Sequence, residues 1–265
     1  MVRIKEMLLT ANNQTVEFFN FDYSKHKKMG ISLSGGSDSA LLFYLMAKYL
    51  QDVELIPWSA YESSPDPLEE RPLTIEAAEK IVDWMRVEFP DANIGPHEKY
   101  AYDRSCKETL KEAEKINVPG FKYYGMSNKG IVKILLLRKD TQRMWDEGII
   151  DYHVNGITSN PPLDIIKEWP YYEERRTKDQ EVFEVANWPA KLCSRRIYYK
   201  PFVKVDKKWI AGMYNQEGLM NTLFPITESC TGFARETNWW TEPCKQCFWC
   251  REKHWAFGCY DWGVK

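Results

Sequence analysis

Residues 34 to 39 read Ser34-Gly35-Gly36-Ser37-Asp38-Ser39, set between a short apolar run, Met29 to Leu33, and a helix-forming run, Ala40 to Leu50. A strand that passes through two adjacent glycines straight into a helix constrains the fold more than any other stretch. The glycines let the backbone turn sharply with its N–H groups against an anion, and the following helix offers unpaired donors and a positive dipole end. Serine hydroxyls add further donors, and Asp38 can hold a magnesium ion that neutralises phosphates. Asp38 and Ser39 are therefore candidate catalytic residues. The loop lacks the longer spacer and the lysine of a Walker A motif, so a different phosphate bond is expected to be cleaved. The plainer alternative is an ordinary Ser/Gly turn.

The rest of the chain alternates strand and helix, which implies parallel crossover units. Val53 to Trp58 reads as a second strand, ending at Ser59-Ala60-Tyr61, and the polar stretch Glu62 to Pro72 after it should border the ligand. Thr74 to Val87 reads as a helix with Ile75, Ala78, Ile81, Val82 and Met85 on its core side. Ser127 to Glu147 is a second helix, capped by Ser127 or Asn128 and stopped by Gly148. Ile149 to Val154 reads as a buried strand leading into a loop at the site edge, Asn155 to Pro162. Residues 163–192 are irregular, charged and aromatic, and are read as an insertion or lid. Pro201 to Lys207 reads as an extended apolar segment entering a helix, Lys207 to Glu217, that Gly218 terminates. The expected fold is α/β: a Rossmann-like parallel sheet with helices on both faces over residues 1–200, followed by a small helical, cysteine-rich module over 201–265.

Cys230, Cys244, Cys247 and Cys250 have thirteen, two and two residues between them. Two overlapping CxxC pairs completed by a fourth cysteine across a loop suit a closed structural zinc site. A redox CxxC, an iron–sulfur cluster and catalytic sulfur chemistry are the competing readings, and His254 could replace one thiolate. The first twenty-one residues have no apolar core of secretory length, so a cytoplasmic, reducing compartment is expected and disulfides are not. Cys259 is a spare thiol near the end, and Cys106 and Cys193 read as packed or incidental.

At 265 residues and 44% hydrophobic, the chain is long enough for a full core with a smaller appended module. A net charge of −2 argues against a broadly basic nucleic-acid face and for a small-molecule substrate. Local patches at Arg175, Arg176 and Lys178, or at Arg195 and Arg196, leave nucleic acid open. No membrane span is expected. Trp239, Trp240, Trp249, Trp255 and Trp262 crowd the cysteine module and read as its packing.

The strand, SGGxDS loop and helix resemble the PP-loop of the N-type ATP pyrophosphatases. The ordered run that follows resembles one branch of that superfamily, the 7-cyano-7-deazaguanine synthases. It comprises Pro201-Phe202, Asp206-Lys207 at a helix start, Gly218, Thr227-Glu228-Ser229-Cys230 and the CxxCxxC, with Arg251 after it. The similarity covers roughly Lys28 to Leu50 and Lys200 to Gly258.

The resemblance implies an adenine nucleotide alpha hydrolase-like fold and an ATP-dependent ligase. Such an enzyme adenylates the carboxylate of 7-carboxy-7-deazaguanine, forms an amide with ammonia, and uses a second ATP to reach the nitrile. It implies ATP contacts over Ser32, Leu33, Ser34, Gly35, Gly36, Ser37, Asp38, Ser39, Ala40, Leu41 and Leu42, with Mg²⁺. It also implies Zn²⁺ on Cys230, Cys244, Cys247 and Cys250, and a homodimer. Lys207 is the candidate for steadying phosphate or the acyl-adenylate, or else a solvated lysine at a helix start; Arg195 and Arg196 could serve likewise.

Two stretches depart from the family. Tyr61-Glu62-Ser63-Ser64 stands where a Gln-Arg-His-like stretch is usual, and the loop after Gly156 lacks Pro-Asp-Cys-Arg. These departures keep other acceptors open: tRNA thiolation, sulfonucleotide reduction, conjugation to a protein, or a non-catalytic nucleotide-binding role.

Overall fold

The computed structural model describes residues 7–18, 27–50, 52–63, 73–117, 127–169 and 197–265. In chain order the elements are a hairpin of β1 (Met7–Ala11) and β2 (Gln14–Phe18), then β3 (Lys28–Ser32), α1 (Ser37–Tyr49), β4 (Glu54–Glu62) and α2 (Leu73–Glu88). They continue with β5 (Glu98–Tyr102), α3 (Lys107–Ile116), α4 (Asn128–Asp146), β6 (Tyr152–Asn155), the single turn α5 (Leu163–Ile166), β7 (Ile197–Tyr199), α6 (Lys207–Gln216) and α7 (Phe248–Phe257). The main sheet has the order β5-β4-β3-β6-β7, and every neighbouring pair in it is parallel. The chain moves outward from β3 through β4 to β5 and then crosses to β6. That reversal opens a crevice beyond the carboxyl ends of β3 and β6, where open α/β sheets bind ligands.

Side-chain alternation along β4 shows how the sheet is covered on both faces. Leu55 packs with Met29, Ile31 and α1, together with Ala78, Ile81, Val82 and Met85 of α2. Ile56 and Trp58 turn to the opposite face and meet Met144 of α4 and Ile150. Gly30 is required on that second face, because a Cβ there would stand 2.8 Å from Cγ2 of Ile150.

Helix α1 is buried nearly all round. A helix apolar on every side must be enclosed, and α6 closes the side away from the sheet: Trp209, Ile210, Met213 and Tyr214 join the same core as Phe43 and Leu45. The hairpin is tied to α6 by Asn12, which donates to the carbonyl of Lys208, and by Gln14, whose amide is 2.9 Å from Asp206 Oδ1.

Several boundaries differ from the sequence reading. Helix α1 begins at Ser37, not Ala40, because Gly36 serves as its N-cap and its carbonyl accepts from the amide of Ala40 at 3.0 Å. Strand β4 runs on to Glu62 because β5, not foreseen, pairs with it from Trp58↔Glu98 to Glu62↔Tyr102. Ile149 and Ile150 are not part of β6; their amides turn back onto the carbonyl of Met144. Residues 201–205 form turns instead of an extended segment, with the Val205 amide donating to Phe202 O at 3.1 Å and Phe202 buried.

Other expectations match. Ser127 caps α4 by accepting from the Gly130 amide at 3.2 Å, and Gly148 ends the following turn at φ +67. Asp206 caps α6, and Gly218 lies just beyond its end at φ +72. The hairpin and α3 were not anticipated. Residues 170–192 of the expected insertion lie outside the described residues, as do 64–72, Arg175, Arg176, Lys178, Cys193, Arg195 and Arg196. No described helix is long and apolar enough to cross a membrane.

Candidate functional site

The loop after β3 is built by its own residues. Gly35 takes φ +80, a left-handed conformation that a side chain would strain. Gly36 then opens α1 as its N-cap with no side-chain cap hydrogen bond. Ser39 Oγ donates to the Gly36 carbonyl at 3.0 Å and accepts from the Ser34 amide at 3.2 Å. Its one proton is thereby used, so in its 3.1 Å contact with Ser39 the Ser34 hydroxyl is the donor.

From the other side, Tyr214 of α6 donates to the carbonyl of Ser37 at 3.0 Å. Burial, and then the Asp38 charge, push this phenol well above its ordinary pKa, so it stays a donor. The loop is thus held rigid from within and from α6.

Lys207, the first residue of α6, is not solvated. It is 3% exposed, and its Nζ lies 3.3 Å from Asp38 Oδ2 and 3.1 Å from Glu252 Oε2. Burial alone would lower this ammonium, but the Asp38 and Glu252 carboxylates outweigh it and hold the pKa above that of a free lysine. Lys207 is therefore a buried, paired cation beside the Ser34–Ser39 loop. Thr158 Oγ1 also approaches Asp38 Oδ2, at 3.5 Å.

Lys207, Thr158 and the loop residues Ser34 and Gly36 to Ser39 line one cavity of about 350 Å³. Its floor includes Ser32, Ser34, Gly36, Ser37, Asp38 and Ser39, and its sides include Asn155, Gly156, Ile157 and Thr158 from the loop after β6. Ala60, Tyr61 and Glu62 at the end of β4, with Tyr102, Arg104 and Lys133, form a second side. Glu228, Ser229, Thr231 and Trp249 from the cysteine-bearing segment form the third.

Of the residues implied to contact a nucleotide, Leu33, Ala40, Leu41 and Leu42 lie in the hydrophobic core, and Gly35 is buried behind the loop. The remaining six face the cavity. Arg104 pairs with Glu62 through Nε at 2.5 Å and through Nη2, leaving a charged fork in the wall.

The sequence reading missed Glu252, Tyr214, Ser229, Arg104 and Trp249 as cavity or loop partners. For Glu252 alone a signal existed: an acidic residue that directly follows Cys250-Arg251 on a helix sharing its first turn with two cysteines.

The four cysteines meet. The sulfurs of Cys230, Cys244, Cys247 and Cys250 all lie within 4.8 Å of one another, and those of Cys244 and Cys250 are 3.8 Å apart. Backbone amides point at them: Gly232 and Cys244 donate to Cys230, Cys247 to Cys244, and Cys250 to Cys247, at 3.3 to 3.4 Å. Such N–H···S contacts favour thiolates, so the set can hold a metal ion. His254 is elsewhere, stacked on Tyr260 with ring centroids 4.6 Å apart.

A buried ion pair joins this centre to the cavity wall. Lys253 donates to Asp261 Oδ1 and to Thr227 Oγ1, the latter at 3.0 Å, while Asp261 Oδ2 accepts from the amides of Ser229 and Cys230 at 2.9 and 2.8 Å. The segment carrying the first cysteine is also tied to the loop, since the Glu228 amide donates to Gly35 O at 2.8 Å. Burial raises the carboxyl of Glu228 to about 7, against a weaker opposing effect of the Trp262 hydrogen bond.

No family model and no curated protein sequence matches this chain. Among solved structures, it is similar to the U34-tRNA thiolase NcsA from Methanococcus maripaludis with its [4Fe-4S] cluster, with 20% sequence identity and a TM-score of 0.40. That similarity covers 73% of this chain and 57% of the thiolase chain, a little over half of its length.

Proposed function

We propose that the protein is a PP-loop enzyme that splits ATP between its α- and β-phosphates, transfers AMP to a carboxylate and passes the acyl group to ammonia. A 7-deazaguanine acid is the acceptor and the nitrile is the final product. The observation that carries the nucleotide half is the convergence of the Ser34–Ser39 loop with the buried ammonium of Lys207 in one cavity.

The first-turn amides of α1 would receive the departing phosphates. Asp38 would hold Mg²⁺, and Lys207, held in place, would stabilise the negative charge as the acceptor oxygen attacks the α-phosphorus and pyrophosphate leaves. Ammonia then adds to the acyl carbon and loses a proton as AMP departs. A second adenylation, on the amide oxygen, lets that oxygen leave with AMP.

The deazaguanine half rests on the resemblance of the motifs at the two ends of the chain. Tyr61, Tyr102 and Trp249 around the cavity supply aromatic surface that suits a planar ring. Sulfur transfer lacks comparable support: among the described residues, no cysteine lines the cavity, and Cys106 occupies the N-cap position of α3.

For the metal, the sulfur spacing favours a single ion, because a tetrahedron with metal–sulfur bonds of about 2.3 Å has edges of about 3.8 Å. A four-iron cluster carries its thiolates on separate irons and needs them further apart. Zinc in a reducing, cytoplasmic setting fits this set, with a structural role.

The test is AMP and pyrophosphate release from Mg-ATP and ammonium, with and without 7-carboxy-7-deazaguanine, with mass analysis of the base. Release that depends on the acid, with an amide or nitrile product, is the expected result. AMP release indifferent to the acid would remove this acceptor and leave the nucleotide half standing.

A further inference from the structure

We propose that Glu252 is a positioning residue through which metal occupancy of the cysteine centre sets nucleotide affinity at the Ser34–Ser39 loop. This rests on the nucleotide reading above. Glu252 is 0% exposed and sits on α7, the helix whose N-cap is Cys247 and whose first turn holds Cys250. Its Oε2 lies 3.1 Å from Lys207 Nζ, which lies 3.3 Å from Asp38 Oδ2. One continuous chain of contacts therefore runs from two metal ligands, along one helical turn, to a fixed cation at the phosphate loop.

The chemistry of this arrangement is specific. A fully buried carboxylate is costly unless paired, so Glu252 holds Lys207 and cannot easily let it swing to solvent. When Asp38 turns from Lys207 toward a magnesium ion, Glu252 keeps the ammonium in the cavity, facing the phosphates. If α7 loses its metal-bound first turn, Glu252 loses its fixed position and Lys207 loses its anchor.

A second set of contacts runs alongside. Lys253, the next residue on α7, bonds Asp261 and Thr227, and Asp261 in turn holds the amides of Ser229 and Cys230. That set orders the wall beside Gly36, where Ser229 Oγ stands 3.6 Å from the position of a Gly36 Cβ. Its hydrogen bonds run to Thr227, Ser229 and Cys230, and Lys207 acts on Lys253 through charge, so the two routes are addressed by different mutations.

Coupling of this kind is reciprocal: whatever factor the metal adds to nucleotide affinity, the nucleotide adds to metal affinity. The experiment is titration of full-length protein with Mg-α,β-methylene-ATP, a probe that binds without turnover. It is performed on the zinc-loaded wild type and on Glu252→Gln, Lys207→Met and the double variant, each with zinc content measured. Glu252→Gln is expected to keep one zinc per chain and to bind the probe about tenfold more weakly, the scale of a lost charge-assisted hydrogen bond. The double variant is expected to be no weaker than Lys207→Met alone if Glu252 acts on the nucleotide through that lysine.

The reciprocal arm measures zinc transfer to a chromogenic chelator with and without the probe. The probe should slow transfer or raise zinc affinity in the wild type, and should do neither in Glu252→Gln. This arm uses natively folded wild type and stays decisive if the variant folds poorly. Equal probe affinity in wild type and Glu252→Gln, additive losses in the double variant, or zinc affinity indifferent to the probe would each overturn the coupling while leaving the nucleotide site intact. No probe binding to zinc-loaded wild type would overturn both.

Discussion

Gly156 faces the carbonyl of Asp38 so closely that a Cβ at residue 156 would stand 2.8 Å from that oxygen and 3.2 Å from the α-carbon of Ser39. The loop after β6 is thereby pressed onto the first turn of α1, and the cavity exists in its present shape only because residue 156 has no side chain. Gly156→Ala should push the two apart and cost about 1–3 kcal/mol of stability, the scale of overpacking against backbone. Gly36→Ala is the contrast, because its nearest neighbours lie at 3.5 Å or more and its φ is −82. Chemical denaturation of both variants should show a loss at residue 156 and little change at 36.

Lys207→Met leaves Glu252 buried without its cation. Removing one partner of a buried pair typically costs about 3–5 kcal/mol, so a lowered denaturation midpoint is expected. The double variant Lys207→Met with Glu252→Leu, which removes both charges, should recover much of that loss. A midpoint for the single variant equal to wild type would show that the pair contributes nothing to the fold.

His97 gives the fold a dependence on pH. Ser59 Oγ donates to the Leu33 carbonyl at 2.6 Å, so in its 2.8 Å contact with Ser59 the His97 Nε2 must carry the proton and donate. Burial, reinforced by Lys99, lowers this imidazole to about 4. The unfolded chain therefore binds more protons than the folded one between pH 6.5 and 4. Stability should be fully present above pH 6.5 and fall as pH drops toward 4, by on the order of 1–2 kcal/mol after solvent screening of a half-buried ring. In His97→Gln the stability difference between pH 7 and pH 4.5 should shrink; an unchanged difference would assign it to other groups.

Removal of the metal should unfold the segment that the four cysteines gather. Structural metal binding contributes directly to folding, so Cys247→Ser or exhaustive chelation should lower the melting temperature and further expose the half-buried Trp240 and Trp249. Metal analysis should give one ion per chain in the wild type. Full metal content in Cys247→Ser with unchanged melting would contradict a four-thiolate site.

Much of this architecture is legible in the sequence because it is local. Two glycines between a strand and a helix, a serine three residues ahead of an amide, and a CxxCxxC each carry their geometry within a few residues. The parts not legible depend on partners distant in sequence. Strand β4 extends past Trp58 only because β5 lies beside it, and β5 itself alternates weakly in Glu98-Lys99-Tyr100-Ala101-Tyr102. Lys207 looks like a solvated helix-start lysine until Asp38 and Glu252 are brought to it from opposite ends of the chain. The Arg104–Glu62 pair in the cavity wall arises in the same way, from the last residue of β4 and the turn after β5.

The proposed function requires the loop and Lys207 to form one nucleotide site. Calorimetric titration of zinc-loaded wild type and of Lys207→Met with Mg-α,β-methylene-ATP tests this without any acceptor. Binding at one site per chain in the wild type, weakened at least tenfold in the variant, is the predicted result. Equal binding by the two proteins, or none by the wild type, would contradict it.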